Sequence, residues 1–127
     1  MVTGGGTLTA NNVTAVTDGN SSAPIRSDRG GGTLTVNGGN YTSNGTGSPV
    51  IYSTANITVN KANLKSTASE GVVVEGKNVA SVGLGSELKC TASPNRKTVD
   101  QCGIMIYQSM SGDASDGTSS FRTLILL

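Results

Sequence analysis

The chain has 127 residues, a net charge of +1, 13% charged residues and 3% aromatic residues. That length suits one domain, and nine scattered Lys and Arg without an aromatic stacking platform exclude a nucleic-acid footprint. Ser, Thr, Asn and Gly supply 61 of the residues, which excludes long helices because all four are mediocre or poor helix formers.

The chain opens on a repeat. Gly-Gly-Gly-Thr-Leu-Thr occurs at Gly4 to Thr9 and again at Gly30 to Thr35, and a period in the twenties is that of a solenoid whose units bury their apolar face only by stacking. In the first unit Thr7-Leu8-Thr9 alternates as a strand with one buried face, Val13 centres a second segment, Asp18-Gly19-Asn20 marks a turn and Pro24-Ile25 begins a third segment. The second unit repeats the order with Thr33 to Val36, Tyr41 and Val50-Ile51-Tyr52, with Gly38-Gly39-Asn40 and Asn44-Gly45 as turns. The third has Asn56 to Val59, Leu64 and Val72 to Val74, with Glu75-Gly76-Lys77 as the turn that follows. The fourth has Val79 to Val82, Leu88 and Ile104 to Ile106.

Its longer course is accounted for by a polar loop insertion over 91–101, between Cys90 and Cys102. A disulfide between those cysteines would close the loop and contribute about 3 kcal/mol; two unbridged thiols are the alternative. Leu8, Leu34, Ile57 and Ala80 are expected inside, with the flanking threonines outside. The fold expected is therefore all-β, a parallel β-helix of about four coils with three short strands per coil, occupying 1–127 as one domain.

The strings Ser27-Asp28-Arg29-Gly30-Gly31-Gly32-Thr33, Gly47 to Thr54, Glu70 to Asn78 and Met105 to Asp113 resemble the adhesin-like, right-handed β-helix repeats of large surface or secreted proteins of gut Firmicutes. The resemblance implies a pectin-lyase-like fold and an extracellular or cell-surface location. Met1 enters the repeat without a signal peptide, so the chain reads as a fragment of a longer repeat protein. The run Arg122 to Leu127 departs from the glycine-rich pattern, and self-association through the solenoid ends is expected.

Parallel β-helices host polysaccharide lyases and hydrolases, which need paired carboxylates, or calcium ligands with a base. The candidates are Glu75, expected as an exposed charge near Ser53 and Arg26, together with Tyr52 and Tyr107 as glycan contacts. Asp113 to Gly117 lacks the spacing of a calcium loop. With no histidine and no Cys-x-x-Cys pair, no metal site or cofactor is expected. No apolar run approaches the ~20 residues of a membrane span, so no membrane insertion is expected. The function expected is a non-catalytic structural or adhesion module whose partner is a glycan or a host surface. The alternatives are a glycan-binding or lyase-like module and, from the Thr-x-Thr pairs, ice binding.

Overall fold

The computed structural model describes residues 1–76, 78–83, 85–90, 103–107 and 120–123. Cys102, the expected insertion at 91–101, the turn at Asp113 to Gly117 and the run Leu124 to Leu127 lie outside the described residues. All regular structure among the described residues is β-strand, in parallel strands stacked as a β-solenoid of about three turns.

The repeat string fixes the first register. Strand β1 (Gly6–Thr17) lies on β3 (Gly32–Ser43) with Leu8 on Leu34 and Thr9 on Thr35, so the two copies of the string stack residue for residue. The same column continues through β5 (Asn56–Asn60), β8 (Val79–Val82) and β11 (Ser120–Thr123). A second face runs from the latter half of β3 through β6 (Asn63–Ser66) to β9 (Glu87–Cys90). The third is a separate sheet of β2 (Ile25–Arg26), β4 (Ile51–Ser53), β7 (Val72–Glu75) and β10 (Ile104–Tyr107). Val2 adds a single bridge to Ser27 above β2.

Three strands per coil are seen from β5 onward, whereas in β1 and β3 the first two segments are one bent strand. The bend has a local cause. Asn12 (φ 52°), Gly38 (φ 72°), Lys61 (φ 52°) and Gly85 (φ 70°) occupy the same corner of successive coils, all left-handed. One such residue redirects the chain by a single step, and Asn and Gly tolerate that conformation better than other residues do. Gly38-Gly39-Asn40, expected as a turn, is thus a corner inside a continuous strand. The bend also shifts the second segment: Ala15, rather than Val13, lies on Tyr41, followed by Leu64 and Leu88.

Coil length changes at corners. The triple-glycine corner before β3 has no counterpart before β5, where only Thr54 and Ala55 separate β4 from β5, and the separation of stacked residues falls from 26 to 23. On the third face Ile51, the centre of its segment, pairs with Val72, the first of the three valines, rather than with the central Val73.

The core is a thin column. Leu34, Val36, Ile57, Val59, Ala80 and Val82 come from the first face, Tyr41 and Leu64 from the second, and Ile25, Ile51, Val72 and Val74 from the third. Each fully buried aliphatic side chain contributes about 1.5–3 kcal/mol. Leu8 occupies the expected inward column but is 38% exposed, because no coil described here lies above β1. Serines complete the column at its corners: Ser43 Oγ donates to Ser48 O (2.5 Å), Ser66 Oγ to Ser69 O (3.0 Å) and Ser53 Oγ to Ala55 O (2.6 Å). All three are buried, and each buried hydroxyl finds its partner in a turn carbonyl. Cys90 takes the position of Ser43 and Ser66 in this stack, and its Sγ donates to Ser69 O at 3.2 Å.

Candidate functional site

In-register stacking turns single residues into columns, so any site on this fold is assembled from equivalent positions of successive coils. Two places gather chemistry.

The first lies on the third sheet. Arg26 of β2 stacks on Tyr52 of β4, with the guanidinium carbon 5.4 Å from the ring centroid. The guanidinium also donates to Ser21 O (2.8 Å) and to Asp28 Oδ2 (2.9 Å). Ser21 has φ 53°. Tyr52 Oη in turn donates to Glu75 Oε2. Three of the residues singled out in the sequence, Arg26, Tyr52 and Glu75, are therefore brought together, and Asp28 joins them.

Their roles differ from those expected. Glu75 is not a solvated loop charge but is fully buried, because the tyrosine hydroxyl covers and hydrogen-bonds its carboxyl. Its stacking is one residue beyond Ser53, which faces Val74 instead. Tyr52 is half-buried, with one ring face under Arg26 and its hydroxyl committed, which leaves little of an open platform for a sugar ring. Beside it a recess of about 200 Å³ is bounded by Ser21, Ala23, Arg26, Gly47, Pro49 and Tyr52. Tyr107 pairs with Glu75 along the backbone, and its side chain lies outside the described residues.

The second place lies on the second face, where a groove of about 320 Å³ runs across three coils. Tyr41 and Leu64 point inward beneath it, and two outward columns line it. One is Asn40, Asn63 and Glu87; the other is Thr42, Lys65 and Lys89. Asn63 Nδ2 donates to Asn40 Oδ1 at 2.9 Å, and Lys89 Nζ is 3.3 Å from Glu87 Oε1. The sequence held the signal: these residues flank Tyr41, Leu64 and Leu88 by one position on each side, and aligning those three gives both columns.

Elsewhere the outward columns are ladders of small polar groups. Asn60 donates to Asn37 (3.2 Å) and Asn37 to Asn11 (3.1 Å), while Thr67 donates to Asn44 (2.9 Å) and Asn44 to Asp18 (2.9 Å). Thr9, Thr35, Thr58 and Ser81 form a four-deep hydroxyl column on the first face. Among the described residues no three His, Cys, Asp or Glu side chains are grouped to hold a metal ion, and no helix is long and apolar enough to cross a membrane. Cys90 is described but Cys102 is not, so the expected disulfide lies outside the described residues.

No protein-family model, no curated protein and no solved structure matches this chain.

Proposed function

We propose that this chain is a non-catalytic structural and adhesion module of a bacterial surface or secreted protein, built on a right-handed, pectin-lyase-like version of the parallel solenoid. The observation that carries the reading is the fate of its best catalytic candidate. Glu75 is buried under Tyr52, and Tyr52 is held by Arg26, so the three side chains tie three coils together rather than presenting an acid to solvent. A general acid or base must reach the proton that it moves. Small uncharged side chains, hydrogen-bonded along the axis, dominate the outward columns described, as suits a rigid spacer exposed to water.

The test is turnover. The chain is incubated with a panel of neutral and acidic polysaccharides, with and without calcium, and products are followed as new reducing ends and as unsaturated uronates. No product is expected; a polysaccharide cleaved by the wild type and spared by Glu75→Gln overturns the reading.

Glycan binding without cleavage is the second reading, favoured by the groove over Asn40, Asn63 and Lys65. For the chain itself we propose self-association through the end coils, where Leu8, Val13 and Val16 at one end and Ile104, Met105 and Ile106 at the other are exposed. Exposed apolar surface of this kind marks contact sites. Sedimentation across a concentration series checks it, and a single monomeric species at all concentrations refutes it. The partners proposed are a glycan or host surface outside the cell, without nucleic acid or membrane insertion.

A further inference from the structure

We infer that the groove on the second face is a binding site for a carboxylated sugar, with Lys65 and Lys89 holding the carboxylate and Asn40 and Asn63 reading the hydroxyls. The inference rests on the adhesion reading above and names the ligand class.

The register carries the argument. Lys65 lies on Lys89 in adjacent parallel strands, about 4.8 Å apart along the axis. Like charges directly opposed on neighbouring strands destabilise a sheet, so the pair gives the fold nothing. Neighbouring columns solve the same problem with uncharged, mutually hydrogen-bonded residues, as in Asn11, Asn37 and Asn60. Lys89 is offset by Glu87, whereas Lys65 makes neither an ion pair nor a hydrogen bond among the described residues. An ammonium left unpaired beside a second ammonium suits an anion.

Position narrows the anion to a sugar acid. The amide pair lining the groove beside the lysines is polarised in one direction: Asn63 donates and Asn40 accepts, which leaves the Asn40 Nδ2 donor and the Asn63 Oδ1 acceptor without a hydrogen bond among the described residues. A donor and an acceptor side by side match the hydroxyls of a sugar ring, each of which can donate and accept. With Glu87 present, the three charged groups of the groove sum to one positive charge, matching one carboxylate rather than a multiply charged phosphate. Its volume of about 320 Å³ is at the small end of ligand sites, the scale of one or two sugar rings.

The test is a glycan array bearing uronate-terminated oligosaccharides beside their carboxyl-reduced counterparts, followed by calorimetric titration with the strongest acidic oligosaccharide. Acidic forms are expected to bind and reduced forms to bind at least about tenfold more weakly, the loss of one charge-assisted hydrogen bond. Lys65→Gln is expected to weaken binding by a similar factor, Lys65→Arg to retain it, and added salt to weaken it further. Lys65 is exposed, so the variants keep the fold, which circular dichroism checks. Equal binding of acidic and reduced forms, or unchanged binding by Lys65→Gln, overturns the inference while leaving the adhesion reading in place. Silence across the whole array overturns the inference and, with it, the glycan-binding reading.

Discussion

Gly39 gives the sharpest test of how the coils fit together. Its φ is 99°, and a Cβ there would overlap the carbonyl oxygen and the nitrogen of Val13 in the strand above. Gly47 also has a left-handed φ, 63°, but a Cβ there meets nothing within 4 Å. Gly39→Ala and Gly47→Ala therefore share a backbone penalty of about 1–2 kcal/mol. In both it is partly offset by about 0.4–1 kcal/mol from the stiffer unfolded chain.

Only Gly39→Ala must also push β1 away from β3. Losing three or four hydrogen bonds of that ladder costs about 1 kcal/mol each, so its total destabilisation is about 4 kcal/mol against at most about 1.5 kcal/mol for Gly47→Ala. Urea titration followed by circular dichroism measures both. The corresponding fall in melting temperature is about 12 °C or more for Gly39→Ala and about 6 °C or less for Gly47→Ala. Hydrogen exchange should show the damage concentrated in β1, since nearest-neighbour contacts alone couple the coils of a solenoid. If the two variants fall within about 1 kcal/mol of each other, the close approach of the coils at this corner is wrong.

Other outcomes follow from single contacts. Tyr41 is 3% exposed and its hydroxyl makes no hydrogen bond among the described residues, so Tyr41→Phe is expected to leave stability unchanged or raise it by up to about 1 kcal/mol, as thermal melts will show. Burial raises the pKa of that phenol above its ordinary 10.0. The unfolded chain therefore loses the proton first, and stability is full below about pH 10 and falls as pH rises beyond it; Tyr41→Phe should remove that alkaline loss in melts run from pH 8 to 11. Tyr52→Phe removes the hydroxyl that donates to buried Glu75 and is expected to cost about 1–3 kcal/mol in urea titration. Asn37→Ala breaks the amide ladder on both sides and should cost about 1–2 kcal/mol; a neutral result in the same titration would show that the ladder contributes nothing to stability.

The stacked string Gly-Gly-Gly-Thr-Leu-Thr settled the architecture from sequence, because two identical segments 26 residues apart bury their leucines together only by lying in register. Alternation then gave the inside and outside of the first face, and Leu34, Ile57 and Ala80 are buried as it implies. The insertion of residues at corners rather than in strands was equally readable, since glycine clusters mark where the chain turns.

Tertiary structure decided the rest. Whether a glycine pair ends a strand or bends it depends on the strand stacked against it, which is why Gly38-Gly39 looked like a turn and is a corner. A one-residue choice of register on the third face decides whether Glu75 faces Ser53 or lies beyond it, and valine repeats such as Val72-Val73-Val74 do not distinguish the two by hydrophobicity. Burial of Glu75 depends on a tyrosine 23 residues earlier whose hydroxyl reaches it only once the coils are stacked. Periodicity along the chain records which residues share a column, whereas charge, exposure and partners are set by what the neighbouring coils place beside them.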